Sequence, residues 1–167
     1  MRGLEFGTKV DLHGIQCAMA TAKAVQLYEY VSTQRPDAQK ATQYVTEFDY
    51  SSWKEQLREF LGSSADTMIA LESKEGKYNK DTHKARFDLI VKNWDDILEI
   101  IREELPSSEQ FQKIMDTVGI STDLNTLNVD SSCAKQTFRA TKDIRDKYVL
   151  SRLAWDLGIL EELCDLL

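Results

Sequence analysis

The sequence predicts an all-α protein, and three observations support that reading. No segment shows sustained apolar–polar alternation bounded by turns, so there is no strand to defend. The 167 residues contain only two prolines, Pro36 and Pro106, and seven glycines, which suits long helices with few breaks. Apolar residues recur at steps of three and four, most clearly in Phe87, Ile90, Val91, Trp94, Ile97, Leu98 and Ile101. A chain of this size buries roughly two thirds of its unfolded surface, so one helical domain spanning 1–167 is expected to fold without disulfides.

Residues 1–10 have two glycines and no helical period, and read as an entry segment. Asp11 is the N-cap candidate of a small-residue-rich, buried helix running to about Gln34. Arg35-Pro36 stops it, because the residue before proline is pushed out of the helical region. Two shorter helices follow over 38–49 and 52–61, the second capped by Ser51 or Ser52 and ended by Gly62. A weaker one covers 64–75 and closes at Gly76. A single amphipathic helix then extends from about Lys80 to Leu105, terminated by Pro106.

Ser107 followed by Gln110 forms a capping-box pattern, leading a helix that carries Phe111, Ile114, Met115 and Val118 and stops at Gly119. Residues 120–129 form a polar loop. Asp130 or Ser131 caps a long helix through Ile144 and Tyr148, with a break near Tyr148-Val149 as the alternative. Leu150, Leu153, Ala154 and Leu157 make the next stripe, Gly158 ends it, and ILEELCDLL closes the chain as a short acidic-apolar helix.

Composition excludes several functions. The net charge is −7 and no Lys/Arg stripe stands out, so nucleic acid is not an expected partner. No apolar run reaches membrane-spanning length, and no signal-peptide layout opens the chain; a cytoplasmic protein is expected. The cysteines Cys17, Cys133 and Cys164 are widely spaced and odd in number, which fits free thiols. Phosphate-binding glycine loops and nucleophile elbows are absent. The pairs Asp95-Asp96, Glu103-Glu104 and Glu161-Glu162 read as solvated helix faces.

His13 stands apart. It lies in the first turn of the first helix, where the partial positive charge of the helix end disfavours imidazolium, and a neutral imidazole is the form that binds a metal. A helix-start histidine bonded to a loop carbonyl is the plainer reading. Gly14 beside it removes side-chain bulk. Cys17, one turn on, places a second potential donor on the same face, although a buried core cysteine is the expected role. His83, on a polar helix face, reads as surface.

Three blocks in order carry a family resemblance. DLHGIQCAMAT resembles the helix of the iron-containing alcohol and polyol dehydrogenase superfamily that opens with a metal-binding His-Gly pair. GKYNKDTHKARFDLIVKNWDDILEIIREELPSSEQF is similar to the central helix of glycerol-1-phosphate dehydrogenases. ATKDIRDKYVLSRLAWDLGIL, residues 140–160, resembles their C-terminal signature. The resemblance runs from Gly3 onward and implies the C-terminal helical domain of that family.

Such enzymes interconvert dihydroxyacetone phosphate and sn-glycerol 1-phosphate with NAD(P), using a divalent metal, zinc foremost, with iron or nickel as alternatives. The resemblance thereby implies a place in phospholipid metabolism. The family holds its metal with one Asp and two His; His13 matches the last of the three. The sequence departs from the family by lacking the nucleotide-binding α/β domain, the Asp ligand and the other His. Ala18 and Ala20 stand where the family often has glycine.

The resemblance therefore implies the C-terminal part of a longer oxidoreductase. The missing α/β domain would be its partner and a phosphorylated triose its substrate, with neither metal nor nucleotide held by this chain alone. The isolated chain is expected to fold, to be catalytically silent, and to self-associate through an orphaned apolar face. A glycerol dehydrogenase- or dehydroquinate synthase-like domain, or a non-catalytic helical interaction module, are the alternatives.

Overall fold

The structure, a computed structural model, describes residues 12–144 and 146–167. The expected N-cap, Asp11, and the entry segment lie outside the described residues. All described regular structure is helical. In chain order the α-helices are α1 (His13–Ser32), α2 (Ala38–Glu47), α3 (Tyr50–Leu61), α4 (Ala65–Glu75), α5 (Lys80–Lys92), α6 (Trp94–Glu104), α7 (Ser108–Val118), α8 (Ser131–Thr141), α9 (Leu150–Asp156) and α10 (Leu160–Cys164). Short 3₁₀ turns cover Gly62–Ser64 and Leu124–Leu127.

Local chemistry sets most of these ends. Asp37, Asn79, Ser107 and Asp130 each accept backbone N–H groups of the turn that follows, and Ser107–Gln110 closes the reciprocal capping box. Each such cap contributes about 1 kcal/mol. Asp49, rather than Ser51 or Ser52, caps α3, with its carboxylate accepting from both serine N–H groups. Gly76 and Gly119 end their helices in the left-handed conformation.

Two long helices expected from periodicity are broken. The 80–105 stripe divides at Asn93, whose side-chain amide donates to the Leu89 carbonyl at 2.7 Å and whose backbone takes φ −110° and ψ 20°. A side chain that competes for a backbone acceptor ends a helix, which no apolar period reveals. The break lets Phe87 and Ile90 face the core, while Val91 is left exposed and α6 turns to pack against α1. The second break comes at Thr141, where Lys142 and Asp143 turn inward instead of continuing toward Tyr148.

The fold converges on α9. This seven-residue helix packs against α1, α2, α5, α8 and α10, and every residue from Leu150 to Leu160 is buried. An aromatic cluster surrounds it. Phe48 stacks on Tyr78 with centroids 3.8 Å apart, and Tyr78 meets Trp155 edge-on at 5.0 Å. Each such pair adds roughly 0.5–1.5 kcal/mol beyond area burial. The turn after α9 presses directly on α2: a Cβ built on Gly158, which holds φ +73°, would lie 2.7 Å from the Lys40 carbonyl carbon and oxygen. Only glycine fits there.

Candidate functional site

α1 carries the residue the sequence singled out. Its stretch from His13 to Ala22 has no charged side chain apart from the histidine, so nothing in the pattern gives this end of the helix a solvent face. The structure nevertheless leaves much of it open: Leu12, His13, Gly14, Cys17, Ala20 and Thr21 are exposed, with Leu12 76 % so. The expected burial of α1 therefore holds only beyond its first turns, where Met19, Ala22, Val25, Leu27 and Val31 enter the core. A Cβ on Gly14 would meet nothing within 4 Å, so the room that glycine provides faces open space.

Cys17 departs from its expected role as a core residue. It is exposed, and its Sγ lies 3.4 Å from His13 Nε2 and 3.9 Å from Nδ1. Spacing explains the contact: residues four apart sit one above the other on a helix face. Cys164 behaves as the sequence suggested for small thiols, buried and with its pKa pushed up to about 11 by that burial.

The remaining chemistry is a buried network that the sequence reading missed. Asp143, 2 % exposed, accepts from Trp53 Nε1 at 3.0 Å, Tyr78 Oη at 2.5 Å, Lys142 Nζ at 2.8 Å and Arg152 Nη2 at 3.0 Å. Burial pushes this carboxyl up, but Lys142 and Arg152 outweigh it and hold it below the usual carboxylate range. Burial also pulls Lys142 below the ordinary lysine value, against the attraction of Asp143. Tyr78 is raised well above a normal phenol, first by burial and then by the Asp143 charge.

Asp156, one turn beyond Arg152, anchors a second group. Arg86 grips its carboxylate through Nε at 3.0 Å and Nη2 at 2.9 Å, and Tyr148 donates to it at 2.9 Å. His83 lies against the same residue. It is 3 % exposed rather than on the surface as expected, and its Nε2 donates to the Asp156 carbonyl at 3.2 Å. Burial lowers its pKa, with Asp156 opposing. The polar face that α5 shows in sequence is thus partly internal, because Arg86 serves the buried Asp156 carboxylate and His83 its backbone carbonyl.

A signal for this network was available. Arg152 and Asp156 are charges inside an otherwise apolar run, and such groups are almost never buried unless paired. Glu161 and Glu162 are also more than solvated: Arg139 holds Glu161, while Lys40 and Tyr30 bind Glu162, each at 2.8 Å.

Beside the Asp143 network lies a cleft of about 760 Å³. Trp53, Trp155, Lys142 and Asp143 form its buried part, and Glu47 and Glu59 stand at its exposed margin. Both cations that line it, Arg139 and Lys142, are already paired with carboxylates. Among the described residues it offers a phosphate no unpaired cation.

The family resemblance implies a metal held by one Asp and two His. Among the described residues no three His, Cys, Asp or Glu side chains are grouped to hold a cation. His13 and Cys17 are two donors of a different set, so the residues present do not by themselves fit that metal. Nor is any described helix long and apolar enough to cross a membrane. No family model matches the chain, and neither a curated protein nor a solved structure matches it.

Proposed function

We propose that this chain is the helical, metal- and substrate-side domain of an NAD(P)-linked oxidoreductase of the glycerol-1-phosphate dehydrogenase type, acting on dihydroxyacetone phosphate and sn-glycerol 1-phosphate. One observation supports it above the others. One face of the uncharged first half of α1, with Gly14, Cys17, Ala20 and Thr21, is exposed, and it carries an exposed His13 at its tip. A helix without a polar face is ordinarily covered. A nucleotide-binding α/β domain docked there would cover it and would bring further donors toward His13.

This chain's share of the reaction is to fix the His13 ring on a rigid helix at the domain edge. The described donors do not complete a catalytic metal set, so no chemical step is assigned to this chain alone. The chain is expected to leave dihydroxyacetone phosphate and NADH unreacted.

The test joins residues 1–167 to a nucleotide-binding domain of that enzyme type that carries the Asp and the other His. The joined protein should oxidise NADH with dihydroxyacetone phosphate and not with dihydroxyacetone or the dehydroquinate synthase substrate. Losing an outer-shell partner already costs metal sites 10–100-fold, so His13→Gln should lower activity by more than about 100-fold. A joined protein that folds, binds NADH and metal, yet reduces no dihydroxyacetone phosphate overturns the reading. That outcome would favour the second reading, a helical interaction module whose exposed α1 end docks on a non-catalytic partner.

A further inference from the structure

Lys142 is a nucleophile that the dehydrogenase reading leaves unused. It follows α8 and lies in the buried part of the cleft, beside Trp53 and Trp155, with 8 % of its side chain still exposed. Its Nζ donates to Asp143 Oδ2 at 2.8 Å and to the Arg139 carbonyl at 3.1 Å, and both of those residues line the same cleft. Those two acceptors satisfy both N–H bonds of a neutral amine, whereas an ammonium carries a third donor.

Charge points the same way. Lys142 and Arg152 bury two positive charges against the one negative charge of Asp143. Arginine does not give up its proton, so a proton lost from Lys142 is what makes the group neutral. Of the other titratable groups nearby, Tyr78 is held in its protonated form, and Glu161 at the exposed margin already faces Arg139. Burial draws Lys142 below the ordinary lysine range and the Arg152 charge adds to it, while Asp143 and Glu161 oppose.

We infer that Lys142 is a carbonyl-reactive amine, and that the cleft over it takes an uncharged aldehyde with an apolar body as an imine-forming ligand. A lysine desolvated beside another cation is activated for this chemistry. The amine lone pair attacks the carbonyl carbon. Both nitrogen protons end on the carbonyl oxygen, which leaves as water when the C=N bond closes, and nothing is oxidised or reduced. The walls select the ligand: Phe48 and Phe60 join the two tryptophans, whereas Glu47 and Glu59 at the margin repel an anionic group.

This site does not depend on the dehydrogenase reading, and it is measured without nucleotide or metal. The probe is benzaldehyde, trapped on the folded 167-residue chain with borohydride and located by peptide mass mapping. At about pH 8 an ordinary lysine, with pKa near 10.4, is less than about 1 % free amine. Lys142 should therefore carry the benzyl label at least about 10-fold ahead of any exposed lysine, one pKa unit being worth that factor. Its labelling rate should level off at a lower pH than theirs.

The preference should vanish in urea, where the cleft is gone. The para-carboxylate analogue of benzaldehyde should label Lys142 several-fold more slowly, although its carbonyl is no less electrophilic. Lys142→Met should remove the preferred label and leave the slow surface labelling unchanged, and Lys142→Arg should do the same with the charge retained. Three results overturn the inference: label on exposed lysines with Lys142 unmodified in the folded chain, a Lys142 pH profile matching theirs, or a preference for Lys142 that persists in urea. Equal or faster labelling by the carboxylate analogue overturns the ligand class.

Discussion

Asp143→Asn tests what holds the C-terminal third in place. The parent carboxylate receives four donors, two of them the cations Lys142 and Arg152, all at 2.5–3.0 Å. The substitution removes the anion that Lys142 and Arg152 share and leaves both cations buried, with side-chain exposures of 8 % and 3 %. It also turns an NH₂ toward a group of partners of which only the Tyr78 hydroxyl can accept. Breaking a buried pair by removing one partner costs about 3–5 kcal/mol. For a domain of this length, 1 kcal/mol shifts Tm by roughly 2–4 °C, so calorimetry or thermal circular dichroism should show a fall of about 6–20 °C.

Lys142→Met provides the internal control. The parent group carries one negative and two positive charges, and removing Lys142 leaves a neutral Asp143–Arg152 pair. The lysine is already drawn below its ordinary pKa by burial, the sign of a charge that gains little there. Its loss should cost less than about 2 kcal/mol, since a buried ion exchanged for apolar volume is often neutral. If Asp143→Asn moves Tm by less than 3 °C, or if Lys142→Met costs as much, the charge counting is wrong.

Gly158→Ala should be at least as damaging, for a steric reason. The new methyl would meet the α2 backbone at 2.7 Å, and φ +73° disfavours any Cβ. The backbone strain alone costs about 1–2 kcal/mol, and the clash adds to it, so soluble yield and Tm should both drop. Stability should also depend on pH through His83. Its folded pKa lies below the ordinary 6.5, so the unfolded state binds more protons near that value and stability should rise with pH across the window below 6.5. His83→Gln should flatten that slope in urea titrations at pH 5 and pH 7; an unchanged slope would assign it to another group.

Much of the fold was legible because caps and stops are local. Ser107–Gln110, Asp130, Gly62, Gly76 and Gly119 each act on their own neighbours, and the helices begin or end where those residues stand. Asn93 and Thr141 were not legible as breaks. Asn93 ends α5 through one side-chain bond that competes with the ladder, and the chain leaves α8 because Lys142 and Asp143 have partners in α9 and at Tyr78. Such long-range pairing leaves no trace in a helical period. Cys17 was misplaced for the same reason: thiol burial depends on what packs over α1, and what covers that face is not specified by α1 itself.

The block ATKDIRDKYVLSRLAWDLGIL bears much of the family resemblance, and its buried charges hold the domain together. Asp143, Arg152 and Asp156 point into the interior and bind Lys142, Tyr78, Arg86 and Tyr148. The Asp143 carboxylate, with four donors on about four lone-pair sites, has none left for a substrate or metal, and Asp156, with three donors, is fully buried. Substitutions in this block should therefore lower stability and any activity together. Substitution of the exposed His13 should lower the activity of the joined protein while the fold keeps its Tm. A variant of Asp156 that kept the parent Tm while lowering the activity of the joined protein would contradict this division, because the contacts found for its carboxylate, to Arg86 and Tyr148, lie on α5 and in the segment before α9, and not on α1.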